Sequence, residues 1–577
     1  MTRDPLAARV RVSPDGTALV DAATGEEWTF EALDAAVDRT AGRLAALGVT
    51  AGDRLGVALG PRPAYVRLVH AALRVGATLA PLSHRLTEPE LRDRFGRVEP
   101  TAVVCDAGTE SRVVAATEAP VASVDDPDAG ATALADAGAG AASPTPHEWR
   151  PGATALLPFT SGTTGDPKPV RLTATNLLAS AGASALRLGL DPDDRWLVTL
   201  SLDHVGGLSP VLRMPLYGTT VVLRRSFEAG PAADDLTAHD VTCVSLVPTM
   251  LRRMLDARGT LAESLRVVLL GGAPAPEALV ERCWDYSVPV YPTYGMTETA
   301  SQIATATPAE AFADPGTVGR PLFGTDLTVV DEAGEELPPG EPGELVVAGP
   351  TVSPGYYGMP EATADAFAAD GLRTGDVGVV DERGSVRVLN RVDDRILTGG
   401  ENVDPGEVVA ALREHPAVAD AAVVGLPDPE WGERVAALVV AEDRRDDVDR
   451  DALEAHCRER LAGFKLPRTV GFADDLPRTV SGTVDREAVR ERLETVREER
   501  EGAGDDGFRF GVAGDGAEDS GTDGDGADAG GSASGGIDAV GSDGGGPEDD
   551  GIDAGGSDAD GSESDGTDAG ESNDDRL

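Results

Sequence analysis

The chain has 577 residues, too many for one ordinary core, so two or more domains are expected. Asp and Glu number 100 against 50 Lys and Arg, a formal net charge of −50, which argues against nucleic acid as a main partner and against a polybasic membrane anchor. Hydrophobic residues still reach 41%, enough to bury a sizeable core although aromatics are only 4%. In chain order, residues 1–130 alternate strand and helix patterns. A helical period runs from Phe30 to Leu47, an apolar strand over Arg54–Ala58, a helix over Tyr65–Val75 and a strand over Ala102–Cys105. Such alternation predicts a mostly parallel sheet covered by helices. The Ala-, Gly- and Asp-rich stretch 125–145 reads as a surface loop, and alternation resumes at Ala155 and runs to about residue 310. Short strands with turns follow over 325–390 (Asp326–Val330, Glu344–Val347, Val386–Leu389), predicting a small antiparallel sheet or barrel. A helix over Pro405–Glu414, strands over Ala419–Val424 and Arg434–Val440, and a helix over Arg450–Leu461 predict a small α+β domain. The expected fold class is therefore α/β. A large N-terminal domain (1–392) of layered, mostly parallel sheets with a small β-barrel-like subdomain precedes a small α+β domain (393–498) and a tail (499–577).

The tail is expected to be disordered. Residues 501–577 hold 23 acidic side chains against Arg509 and Arg576, are rich in Gly and Ser, and carry too little apolar surface to offset their ordering entropy. Lysine is nearly absent: Lys168 and Lys465 stand beside 48 arginines. An acidic, lysine-poor surface resembles that of proteins from salt-loving archaea, where high salt screens repulsion; GC-rich codon bias would also favour Arg but explains the acidity less well. Cys105, Cys243, Cys283 and Cys457 form no C-x-x-C pair, so neither a zinc site nor a redox motif is indicated. Their sparseness fits reduced thiols in the cytoplasm. The start, MTRDPLAARV, lacks the apolar core of a signal peptide, and no run of 18 apolar residues exists, so no stable membrane insertion is expected.

The strongest local signal is Thr160-Ser161-Gly162-Thr163-Thr164-Gly165-Asp166-Pro167-Lys168, which follows the apolar run Ala155–Phe159. Hydroxyls, two glycines and a lysine on one turn can wrap phosphate oxygens, because glycine lets the backbone approach and lysine supplies charge. The Walker spacing is absent. Four further blocks follow in order: Tyr294-Gly295-Met296-Thr297-Glu298; Thr374-Gly375-Asp376; Arg391 to Ile396 with Gly399-Gly400-Glu401; and Leu476-Pro477-Arg478 with Ser481-Gly482. With these five blocks the chain, over about residues 10–495, resembles the adenylate-forming acyl-CoA ligases.

That resemblance implies a chemistry and a set of roles. A carboxylate attacks the α-phosphorus of ATP to give an acyl adenylate and pyrophosphate, and a thiol, here CoA, then displaces AMP. Thr160, Ser161, Thr163, Thr164 and Lys168 would hold the β- and γ-phosphates, with Gly162 and Gly165 shaping the loop. Thr297 would contact the α-phosphate, and Glu298 would bind magnesium, a hard ion suited to carboxylate. Tyr294, beside Gly295, would stack on adenine, in a pocket lined by Gly272, Ala273 and Pro274. Asp376 would accept the ribose hydroxyls, Arg391 would reach ribose or phosphate, and Asp393 would be the hinge about which the small domain turns. Lys465 would lie near CoA.

Within that family the stretches HVGGLSPVLRMPLYGTTVVL, VVLLGGAPAPEALVERC and PVYPTYGMTETASQI resemble the 2-succinylbenzoate–CoA ligases of menaquinone synthesis. His204 would sit between acyl pocket and thiol tunnel. Arg213, a cation in an apolar stretch, is the candidate for the second carboxylate of 2-succinylbenzoate; a structural salt bridge or an exposed side chain is the alternative. The partners implied are small molecules: 2-succinylbenzoate, ATP and CoA. One departure stands out, for Ser481-Gly482 is followed by Thr483 where the family carries a catalytic lysine. Three readings stay open: another cation substitutes (Arg478, Arg486 or Lys465), adenylation is slowed, or it is lost. The alternatives to the leading function are a ligase for another aromatic or short-chain acid, an adenylating subunit feeding a carrier protein, and a nucleotide- or acyl-binding homologue without turnover.

Overall fold

The computed structural model describes residues 4–138, 144–160, 167–394, 396–398, 401–403, 405–429, 431–442, 448–479, 484–498 and 509–512. The first layer is a seven-stranded sheet in the order Thr132–Ala133, Val121–Ser123, Ala102–Cys105, Arg54–Ala58, Thr78–Pro81, Thr154–Leu156, Leu172–Thr173. All neighbours in it are parallel except the last pair. The strands expected at Arg54–Ala58 and Ala102–Cys105 lie side by side in this sheet. The stretch 125–145 is not all loop: Thr132–Ala133 adds an edge strand, held because the buried Glu110 carboxylate accepts the Asp128, Ala129 and Ala131 amides. The helix Phe30–Ala46 starts where the Thr29 hydroxyl accepts the Ala32 amide. Its Phe30, Leu33, Val37, Ala41 and Leu44 recur at helical spacing and enter one core with Tyr65, Leu68, Val69 and Ala72 of the helix Pro63–Val75.

The second layer has nine strands in the order Arg320–Pro321, Ser301–Thr305, Val290–Met296, Val267–Leu270, Cys243–Leu246, Arg195–Val198, Thr220–Leu223, Thr17–Asp21, Glu26–Thr29. Its six inner strands are parallel and its outer pairings antiparallel. A third sheet of five strands spans Asp326 to Arg391 and is antiparallel throughout. The fourth begins at Ile396. It pairs Val418–Asp428, Gly432–Ala441, Thr469–Ala473 and two short strands around a core of its own that includes Val423, Val439, Leu453 and Phe472. Four residues of the segment expected to be disordered form a strand here: Arg509–Val512, carrying the β-formers Phe510 and Val512, runs parallel to Thr469–Ala473. The remainder of 499–577 lies outside the described residues. Among the described residues no helix is long and apolar enough to cross a membrane.

Strand direction places the motifs. Thr160 follows Thr154–Leu156, His204 follows Arg195–Val198, the Gly272–Pro274 turn follows Val267–Leu270, and Tyr294 to Glu298 end Val290–Met296 and enter the next turn. All are at carboxyl ends of parallel strands, where open α/β sheets bind ligands.

Candidate active site

The nine-residue phosphate-loop motif is closed at its base. The Thr160 amide donates to the Lys168 carbonyl at 3.0 Å, the Lys168 amide donates to Thr160 Oγ1 at 3.1 Å, and Phe159 bridges to Pro169. Ser161, Gly162, Thr163, Thr164 and Gly165 lie outside the described residues. Lys168 Nζ stands 5.1 Å from the centre of the Tyr356 ring, a cation–π distance. The Tyr356 hydroxyl donates to Glu298 Oε1 at 2.9 Å. Glu298 is only 5% exposed, and burial pushes its carboxyl above the ordinary range. Its own backbone, the Tyr356 hydrogen bond and the charges of Arg391 and Lys168 pull it back down. Thr297 opens the same short 3₁₀ turn, Thr297–Thr299.

Two motifs meet beside it. The Tyr294 hydroxyl donates to Asp376 Oδ2 at 2.6 Å, and Arg391 Nη1 lies 3.3 Å from Asp376 Oδ1. Asp376 and Arg391 face each other across neighbouring antiparallel strands, so strand register itself sets their pairing. Burial raises the Asp376 carboxyl, opposed by Arg391 and the Tyr294 hydrogen bond. Gly295 must be glycine: a Cβ there would stand 1.8 Å from the Ser301 carbonyl oxygen. The Gly272–Pro274 turn leaves the strand adjacent to that of Tyr294, with Gly272 and Pro274 exposed and Ala273 half-buried.

His204 caps the helix Val205–Tyr217. Its Nε2 is 3.4 Å from Asp203 Oδ2, and its side chain is 33% exposed. Asp203 is in turn held by the Ser201 hydroxyl. The chain turns sharply into that helix because Gly207 packs on its own loop; a Cβ would meet the Ser201 carbonyl oxygen at 2.2 Å. Two and a half turns on, Arg213 is 7% exposed. Its guanidinium donates to Ser184 Oγ (3.0 Å), Ser180 Oγ (2.9 Å) and Gln302 Oε1 (3.4 Å). Among the described residues no carboxylate pairs with it. Burial lowers its pKa. The two alternatives weighed for it, a salt bridge and an exposed side chain, are both absent. Ser180 also donates to the Ala300 carbonyl at 2.8 Å, two residues beyond Glu298, which ties the Arg213 cradle to the Thr297–Thr299 turn.

The family model for AMP-binding enzymes matches residues 6–357, and the model for the AMP-binding enzyme C-terminal domain matches 407–483. The chain belongs to the AMP-binding enzyme family. Among members of that family, the 2-succinylbenzoate–CoA ligase of Bacillus pumilus is 37% identical over 484 residues, covering 84% of this chain and 96% of the relative. That of Listeria monocytogenes serotype 4b is 36% identical over 489 residues, covering 84% and 98%. The o-succinylbenzoate CoA synthetase of Bacillus subtilis, solved with its acyl-adenylate intermediate, superposes with a TM-score of 0.77 at 35% identity, covering 85% of this chain and 98% of that one.

In this AMP-binding enzyme, sequence reasoning missed Tyr356, Asp203 and the Ser180–Ser184–Gln302 cradle. The only trace of Tyr356 was its place as one of seven tyrosines, after the turn residues Pro354 and Gly355. Asp393 lies in the 3₁₀ turn Val392–Asp394 that directly follows Arg391. Lys465 is held by Glu407, with Nζ 2.5 and 2.8 Å from the two carboxylate oxygens, inside the C-terminal sheet domain. Thr483 lies outside the described residues. Magnesium fits the donor set at Glu298. Among the described residues no cluster of three or more His, Cys, Asp or Glu could cage a metal, and one buried carboxylate completed by substrate phosphates is how this ion is commonly held.

Proposed function

We propose that this AMP-binding enzyme is an ATP- and magnesium-dependent ligase that converts 2-succinylbenzoate and CoA to 2-succinylbenzoyl-CoA, AMP and pyrophosphate. The observation that carries the reading is the convergence of Lys168, Glu298, Asp376 and Arg391, from four separate motifs, on one strand-end site. The names of the relatives supply the acid.

The site chemistry follows from these groups. Thr160, Ser161, Thr163, Thr164 and Lys168 neutralise the β- and γ-phosphates, and Asp376 accepts the ribose hydroxyls. Tyr294 offers its ring face to adenine against the Gly272–Pro274 turn. Thr297 donates to the α-phosphate, and Arg391 supplies positive charge there. Glu298 would hold the magnesium ion, which when bound neutralises phosphate charge. An oxygen of the succinyl carboxylate attacks the α-phosphorus, the P–O bond to pyrophosphate breaks, and the acyl adenylate forms. The CoA sulfur then attacks the acyl carbon, the C–O bond to AMP breaks, and the thiol proton leaves. Catalysis of this kind is mainly orientation and charge neutralisation. His204 stands at the wall between the acyl pocket and the thiol path. Arg213 binds the second carboxylate of the acid. Its buried guanidinium has only neutral acceptors, and an entering carboxylate offsets the cost of burying that charge. Lys465 serves the CoA side and Asp393 the domain rotation between the two half-reactions.

The test is ATP–pyrophosphate exchange by purified protein in molar KCl, which screens the net charge of −50. Exchange is expected with 2-succinylbenzoate and not with benzoate or a fatty acid. Exchange with benzoate instead would favour another aromatic acid, and no exchange by folded protein would sink the ligase reading.

A further inference from the structure

The guanidinium of Arg213 is held from two elements. Ser180 and Ser184, both buried, stand four residues apart on one face of the helix Ala174–Leu188 and accept at 2.9 and 3.0 Å. Gln302 comes from the strand Ser301–Thr305, where it is buried and stands opposite Gly295 in antiparallel register. A Cβ on Gly295 would come within 2.9 Å of the Gln302 Cα, so the Gln302 backbone lies directly against the Tyr294–Glu298 run.

The Gln302 amide is fixed at both ends. Its Nε2 donates to Thr305 Oγ1 at 2.9 Å, and Thr305 Oγ1 is 2.8 Å from Thr293 Oγ1. Its Oε1 faces Arg213 Nη1 at 3.4 Å, as it must, because a guanidinium carries donors only. Glutamate would differ from glutamine here by one atom and one charge. A carboxylate at position 302 would give Arg213 a buried counter-ion within the chain. Glutamine occupies the same space, offers the same kind of acceptor and leaves the positive charge uncompensated. A buried cation without a counter-ion is costly, and an entering anion offsets that cost. The cradle therefore fixes the guanidinium in place without neutralising it.

We infer that Gln302 is a specificity-determining residue of the acyl pocket: by holding Arg213 with a neutral oxygen, it reserves the whole charge of the guanidinium for the second carboxylate of a dicarboxylic acid. Gln302 acts through Arg213 and is a positioning residue. This rests on the ligase reading above and on Arg213 facing the acid.

The experiment measures ATP–pyrophosphate exchange by the full chain with two acids. One is 2-succinylbenzoate. The other is 4-oxo-4-phenylbutanoate, the same skeleton without the ring carboxylate. The quantity read is the ratio of the two kcat/KM values, with the KM for ATP and the thermal midpoint alongside. In Gln302→Glu the KM for 2-succinylbenzoate is expected to rise about tenfold to a hundredfold. The monocarboxylate should lose less than about threefold, so the preference for the dicarboxylate falls at least about tenfold. The thermal midpoint should hold or rise, because the new carboxylate pairs with a cation already buried. Gln302→Met adds no charge, and the two serines still orient the guanidinium, so the preference should stay within about threefold of wild type. Should Gln302→Glu not fold, Ser184→Asp brings a carboxylate to the same guanidinium from the helix side and should lower the preference equally. An unchanged preference in the folded carboxylate variant overturns the inference. An equal loss with both acids does so too, since that is what a purely structural residue would give, and so does a preference lost equally in Gln302→Met. If wild-type protein exchanges with neither acid, the ligase reading fails and the inference falls with it. The inference alone fails if wild-type protein exchanges with 2-succinylbenzoate and the carboxylate variant keeps its preference.

Discussion

Tyr294 and Asp376 are 82 residues apart in sequence and joined by a 2.6 Å hydrogen bond, hydroxyl to carboxylate. Arg391 holds the other oxygen at 3.3 Å. The Asp376 carboxylate, proposed as the ribose acceptor, is thus oriented from both sides, so little ordering would be left to nucleotide binding. Asp376→Asn leaves Arg391 facing a neutral group and removes an anionic acceptor. The KM for ATP is expected to rise more than about tenfold, consistent with losing hydrogen bonds to a charged group. Tyr294→Phe keeps the ring face and should raise it less than about threefold. Steady-state kinetics with ATP varied checks both; equal effects would contradict the separate roles.

Tyr356 links Lys168 to Glu298, the residues proposed to hold phosphate and magnesium. Its hydrogen bond favours the ionised form of Glu298, whose pKa burial has already raised. In Tyr356→Phe that pKa rises further. Less Glu298 is then ionised at a given pH, and the acid limb of the exchange rate shifts upward, by about one pH unit for a hydrogen bond of about 1.5 kcal/mol. Rate profiles of wild type and variant at fixed magnesium measure the shift. Coincident acid limbs would remove Tyr356 from the site.

Arg213 separates substrate recognition from stability. In Arg213→Leu the KM for 2-succinylbenzoate is expected to rise about tenfold to a hundredfold, the worth of about 1.5–3 kcal/mol for a hydrogen-bonded charge. The KM for ATP should hold. The thermal midpoint should not fall, because a buried cation with neutral partners is removed rather than half of an ion pair. A lower midpoint with unchanged KM for the acid would make the residue structural.

His70 should give the fold a pH dependence. His70, on the helix Pro63–Val75, is 3% exposed. Burial lowers the His70 pKa from 6.5 to about 4. The unfolded chain therefore binds a proton that the folded chain refuses between those values. Stability is full above about pH 6.5 and is lost as pH falls toward 4. Urea titrations at pH 7.5 and 5.5 should show a smaller loss in His70→Gln than in wild type; the same loss in both would rule His70 out.

The sequence by itself determined the motifs and where they fall on the sheets. Phosphate-loop hydroxyls and glycines, the Tyr294–Glu298 run and the Thr374–Asp376 run each act through contiguous residues. Hydrophobic period then placed them at strand ends, since side-chain alternation and helical spacing are local properties. The short edge strands Thr132–Ala133 and Arg509–Val512 escaped that reasoning, because their hydrogen bonds come from partners elsewhere in the chain. What only the tertiary structure decided is which charge meets which. Tyr356 at Glu298, two serines and a glutamine rather than a carboxylate at Arg213, Lys465 on Glu407 and Arg486 beside Asp394 all depend on desolvation and on neighbours far away in sequence. The energy of a charge is set by what is buried against it, and spacing along a chain carries no record of that.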